Sequence, residues 1–217
     1  MKRILCLALA LACAPAAAPA HDMAARDVAG EFDYYVLALS WSPAWCSATG
    51  AARGADQCAA GRRLDFVVHG LWPQYERGWP QNCTTAERDP SRRESQQMAD
   101  IMGSGGLAWH QWQKHGRCSG LSAAGYYGAT RAAAGRIRIP DPFAELDRDI
   151  TLPPEVIEEA FIEANPGLGR DAITVTCRGE ELQEVRICLT RDLEPRDCAP
   201  DIRRDCSRSR VLMESPR

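Results

Sequence analysis

Eight cysteines, spread from Cys46 to Cys206, limit what this chain can fold into more than any other feature. The 217 residues hold ten cysteines in all, and the other two, Cys6 and Cys13, fall in an N-terminal stretch that reads as a leader. MKRILCLALALACAPAAAPA opens with Lys2 and Arg3, runs through an apolar segment from Ile4 to Cys13 and closes on Ala18-Pro19-Ala20. These are the parts of a secretory signal peptide over residues 1–20, and the apolar run is too short for a membrane anchor. A lipid on Cys13 is disfavoured because Ala10 stands where leucine is usual. An even set of cysteines behind a leader predicts four disulfides in an oxidising compartment, periplasmic or extracellular. Eight cysteines admit about a hundred pairings, and the sequence does not choose among them. Zinc would be the other use for thiols. No C-x-x-C pair occurs, however, and the histidines do not follow cysteines at finger spacing, so no metal or other cofactor is expected.

Without the leader, residues 21–217 suit a single domain with a sizeable core. Loss of Lys2 and Arg3 moves the formal charge from −3 to −5. A protein that coats nucleic acid by charge would be basic. This one would have to hold a few nucleotides in a pocket. Arg203, Arg204, Arg208, Arg210 and Arg217 make the tail locally basic, which reads as a solvated, frayed end.

FDYYVLALSW (32–41) is apolar and rich in β formers, so a buried strand is predicted, and LDFVVHGLW (64–72) predicts a second that stops at Pro73. Residues 73–93 read as a long loop of the kind that often carries function. Helices are predicted over 95–102, 107–115, 122–134 and 154–164, the last with Pro153 and Pro154 at its start. AITVTC (172–177) and LQEVRICL (182–189) predict a hairpin turning at Arg178-Gly179-Glu180. Strands at both ends with helices between give an α+β fold on a central antiparallel sheet.

His21 stands at the new N-terminus and suggests no role. The three remaining histidines crowd into two short segments, FVVHGLWPQ with His69 and WHQWQKHGRC with His110 and His115. On a helix, Gln111 and His115 share one face and His110 and Lys114 the next stripe, while Trp109 and Trp112 are expected to pack the helix onto the sheet. The spacing of five between His110 and His115 is wrong for a zinc pair. Two imidazoles, an ammonium and an amide instead make a set suited to clamping phosphate. RNA brings its own nucleophile, the 2′-OH, so its cleavage needs one base, one acid and cations around the phosphorus. Two histidines can share the proton transfers, and DNA, lacking the 2′-OH, would be spared.

HGLWP at His69–Pro73 and KHGRC at Lys114–Cys118 resemble the two active-site motifs of the ribonuclease T(2) family, and YYVLALSWSPAWC (34–46) resembles the strand that opens its domain. The resemblance spans roughly residues 32–206. It implies a metal-independent endoribonuclease of loose base preference that leaves 2′,3′-cyclic and then 3′-phosphates on single-stranded RNA. His69 would be the general acid and His115 the general base, with Lys114 and Gln111 beside them. His110 would bind phosphate, Trp72 a base, and Gln74 substrate. It further implies the bridges Cys46–Cys58, Cys83–Cys118, Cys177–Cys206 and Cys188–Cys198. The protein would act as a monomer on RNA, without DNA or membrane.

One residue departs from the pattern: the family usually has glutamate where this chain has Gln111. Loss of that carboxylate is expected to lower the pKa values of the histidine pair. It also leaves open a weakened or inactive family member that acts as a secreted RNA-binding or toxin-like protein. A metal-dependent phosphodiesterase would need Asp65 and Glu76 beside His69. Tyr75 and Trp79 could stack bases from the loop, whereas Ser40 and Trp41 read as core.

Overall fold

The computed structural model describes residues 27–216; the expected leader and His21 lie outside them. Strand β1 (Tyr34–Trp41) lies between β2 (Phe66–Gln74) and β5 (Glu181–Leu189), antiparallel to both. Strand β4 (Ile173–Arg178) forms the expected hairpin with β5. Two short strands, β3 (Ile150–Leu152) and β6 (Val211–Met213), pair with each other, and β6 touches β5 through one parallel bridge. The antiparallel sheet of an α+β fold is therefore present, with a single parallel contact at its end.

The helices are α1 (Ser42–Trp45), α2 (Arg92–Gln96), α3 (Ala99–Met102), α4 (Gly105–Lys114), α5 (Ala123–Arg136), α6 (Asp141–Ala144) and α7 (Pro154–Ala164). The predicted helix over 95–102 is two helices. In the first, the Ser91 hydroxyl and Glu94 carboxylate cap each other's backbone amides. Gly103, at φ 80°, ends the second, and Ser104 then caps α4 by accepting from the Leu107 amide at 3.1 Å.

Alternation along the strands sorts the sheet into two faces. Tyr35, Leu37, Leu39 and Trp41 of β1 and Val185, Ile187 and Leu189 of β5 face the main core, where Trp112 of α4, Tyr126 of α5 and Phe161 of α7 pack. Tyr34, Val36 and Cys188 face the other way, under a smaller cluster closed by Cys198, Ala199 and Ile202. The four bridges are Cys46–Cys58, Cys83–Cys118, Cys177–Cys206 and Cys188–Cys198, the pairing that the resemblance implies.

Three expectations are corrected. Pro73 does not stop β2, which runs on to Gln74. It can do so because β2 is the edge strand, where a missing amide costs no ladder bond on the open side. The tail is not frayed: Val211 and Met213 are fully buried and the Trp41 indole donates to the Glu214 carbonyl at 3.0 Å. Trp112 is buried as expected, but Trp109 is 46% exposed, since α4 turns only one of the two toward the sheet.

Candidate active site

His69 owes its direction to a fault in the strand ladder. Between β1 and β2, Leu39 pairs with Val68 and Ala38 with Gly70, so His69 is the extra residue of a β-bulge. A bulge re-aims the side chain it carries. Here the ring reaches β5, where its Nδ1 meets the Glu184 carboxylate at 2.5 Å. With Nδ1 donating to that anion, Nε2 is the nitrogen left for chemistry.

Glu184 and Arg186 sit two residues apart on β5, on the same face as His69. Glu184 is 2% exposed, yet its two oxygens are fully used. One accepts from His69 and from the Ser40 hydroxyl at 3.2 Å; the other accepts from Arg186 Nε and Nη2 at 2.9 and 2.8 Å. Burial alone would raise this carboxyl, but His69 and Arg186 outweigh it and hold the group at about 2. The Arg186 guanidinium also lies over the Trp72 ring at 5.3 Å.

The opposing wall comes from α4 and the turn that follows it. His115 caps the helix, its amide bonded to the Gln111 carbonyl at 2.9 Å, and its own carbonyl accepts from the Cys118 amide at 3.0 Å. The Cys83–Cys118 bridge ties this turn to the loop after β2, and the Asn82 amide donates to the Lys114 carbonyl at 2.8 Å. Both histidine-bearing segments are thereby joined covalently.

His115 is 6% exposed and stacks on Trp72 with centroids 5.3 Å apart, while His69 meets the same indole edge-on at 5.2 Å. Burial pushes the His115 pKa down to about 3, and the neighbouring basic groups Lys114, His69 and His110 push in the same direction. Its buried Nδ1 has no hydrogen-bond partner among the described residues. The ring is therefore neutral at neutral pH.

Gln111 is almost fully buried and accepts from the Trp72 indole at 2.7 Å. That hydrogen bond fixes the identity of residue 70. A Cβ there would fall 2.3 Å from the Gln111 amide oxygen and 2.4 Å from Trp72 Nε1, so only glycine lets helix and strand approach this closely.

A cleft of about 270 Å³ lies between the walls, lined by His69, Trp72 and Arg186 from the sheet and by His110, Lys114 and His115 from the helix segment. Gln74, Gln111, Ile202 and half-exposed Trp79 complete it. Every predicted catalytic and substrate-binding residue thus lines one cavity. Gln74 is 2% exposed, however, and its amide nitrogen is spent on the Pro73 carbonyl at 2.9 Å. Tyr75 packs on the main core instead, and neither Asp65 nor Glu76 lines the cleft: they flank opposite ends of β2, Glu76 pairing with Arg196. Among the described residues no group of three or more His, Cys, Asp and Glu side chains could hold a metal ion.

Glu184 and Arg186 escaped the sequence reading, and Ser40 was assigned to the core. The available signal was the alternation in EVRIC, which puts both charges on one face. Such a pattern ordinarily marks a solvated face, and only the bulge at His69 turns this one into a site.

A model of the Ribonuclease T2 family matches residues 32–198. A ribonuclease of Aeromonas hydrophila is 53% identical over 98 residues, covering 45% of this chain and 43% of that protein. Ribonuclease I of Escherichia coli K12 is 25% identical over 206 residues, covering 75% and 77%. Among solved structures, an RNase-related protein from Calystegia sepium aligns with a TM-score of 0.69 at 21% identity, over 86% of this chain and 99% of the other. The match spans less than half the length of several relatives, including the Aeromonas protein and Ribonuclease 3 of Arabidopsis thaliana. The fold is that of the T2 ribonucleases, and the chain belongs to the Ribonuclease T2 family.

Proposed function

We propose that this protein is an endoribonuclease that cleaves single-stranded RNA by attack of the 2′-OH on the adjacent phosphorus. The carrying observation is the opposite surroundings of two histidines in one cleft: His69 against the Glu184 carboxylate, His115 buried among basic groups. In the reaction neutral His115 removes the 2′-OH proton, and His69, its Nδ1 held by Glu184, gives a proton to the leaving 5′-oxygen. Lys114 and His110 face the charge that builds on the phosphorane oxygens. Trp72 holds both rings in position, and Gln111 fixes Trp72. The product is a 2′,3′-cyclic phosphate. In the second step the roles reverse and water opens the ring to a 3′-phosphate.

The family membership and the disulfides also support a periplasmic or secreted protein, in keeping with the leader expected over residues 1–20, and its proposed working form is a monomer without a cofactor. Among the described residues no helix is long and apolar enough to cross a membrane.

The test is a product assay. The oxidised protein lacking residues 1–20 is incubated with RNA or DNA in excess EDTA, with His115→Ala in parallel. The expected result is cyclic-phosphate ends from RNA alone and at least a roughly 100-fold loss in the variant. Absence of RNA cleavage from acid to neutral pH would refute the proposal and favour a binding protein weakened at Gln111.

A further inference from the structure

His69 lines a second, smaller cleft as well, on the side away from His115. Ser40, half-exposed Trp45, Gln183 and Arg178 also border it. This cleft shares Ala48, Arg178 and Glu181 with a larger cavity of about 830 Å³ at the far end of β5. His69 thus borders both the active-site cleft and the second one, and Arg178 borders both the second cleft and the large cavity.

The arginines of the C-terminal segment wall the larger cavity. Arg208 donates from Nε to the Gly179 carbonyl at 3.1 Å, and Arg210 donates to the Thr151 carbonyl. Pairing of β6 with β3, together with the Cys177–Cys206 bridge, holds that segment in place. Arg178 faces the same cavity, and its side chain has no hydrogen-bond or ion-pair partner among the described residues. Glu180 and Glu181 also line the cavity, leaving an excess of one positive charge there in a chain that is acidic overall.

We propose that Arg178, Arg208 and Arg210 form a phosphate-binding subsite for the RNA strand on the 3′ side of the cleaved bond. The inference rests on the endoribonuclease reading and takes its polarity from it. If His69 protonates the leaving 5′-oxygen, the departing nucleoside lies on His69's side of the phosphorus, and the strand beyond it runs toward Arg178. Exposed guanidiniums held at fixed spacing grip successive phosphates without reading the bases. An acidic protein would thereby concentrate its hold on RNA where the strand leaves the active site.

The experiment uses the oxidised protein and substrates with a single ribonucleotide: a dinucleotide, and DNA oligomers extended by several deoxynucleotides on either the 3′ or the 5′ side. Wild type is compared with R178A/R208A/R210A and with R178E, which breaks no observed hydrogen bond; thermal melting verifies the fold. The expected result is a fall in kcat/KM of roughly tenfold, confined to the 3′-extended substrate, in both variants. The salt dependence should flatten by about 0.7 in log–log slope for each phosphate that is no longer neutralised. Equal losses on the 5′- and 3′-extended substrates, or none on the 3′-extended one, would overturn the proposal. Failure of wild type to cleave the dinucleotide and both oligomers would instead sink the endoribonuclease reading beneath it.

Discussion

The two walls of the cleft solve opposite electrostatic problems. On the strand wall, a buried carboxylate gathers His69, Ser40 and Arg186 around itself and leaves its polar atoms satisfied. On the helix wall, His115 is buried beside Lys114 and His110, and among the described residues one ring nitrogen has no hydrogen-bond partner. The same side chain thus stands against an anion on one wall and among basic groups on the other. The difference gives Gln111 its meaning: with no carboxylate on the helix, Glu184 is the anion of the site, and it serves only one of the two rings.

The strongest way to break this contrast is to remove its anion. Glu184→Gln keeps the shape but leaves Arg186 and His69 facing a neutral amide, and kcat on RNA should fall by about 100-fold. An unchanged kcat would mean that Glu184 only supports the fold.

Acid stability sharpens the same contrast. The Glu184 carboxyl is held at about 2 against an ordinary 4.5, so its pairings stabilise the fold above about pH 4.5 and are lost as pH falls toward 2. His115, neutral when folded down to about 3 against an ordinary 6.5, leaves the unfolded chain to gain the proton first, so stability also falls from about pH 6.5 to 3. Melting temperatures of wild type and Glu184→Gln should therefore diverge above pH 4.5 and converge below about 2. A constant gap would contradict the assignment.

Opening Cys83–Cys118 separates the walls covalently. Its loop of 35 residues implies a cost of about 3–4 kcal/mol for Cys83→Ser/Cys118→Ser by denaturant unfolding, and activity should fall with it. The smallest effect is expected from Gln111→Glu, which gives the helix wall a carboxylate. The acidic limb of kcat/KM, set near pH 3 by His115, should rise by about a unit or more while the maximal rate changes only a few-fold. Coincident profiles would show that residue 111 acts on Trp72 alone.

Much of this contrast could be read in the sequence, but only on one side. The helix wall is written locally: His110, Gln111, Lys114 and His115 are neighbours whose spacing fixes their faces. The strand wall joins residues more than a hundred positions apart, and no local pattern pairs His69 with Glu184. The bulge that turns His69 toward it is a register shift, invisible in a strand whose apolar pattern continues through it. The tail misled for a similar reason. Its arginines dominate the composition, while Val211 and Met213, which pin it to the core, occupy a strand of only three residues.

The division of labour between the walls is tested most directly by a leaving group that needs no acid. His69→Ala and His115→Ala are assayed on RNA and on a nucleoside 3′-(4-nitrophenyl phosphate), whose nitrophenolate departs unprotonated. Both variants should lose at least about 100-fold on RNA. On the nitrophenyl ester His69→Ala should recover to within about tenfold of wild type, while His115→Ala stays inactive. Recovery by His115→Ala instead, or by neither variant, would contradict the assignment of acid to the strand and base to the helix.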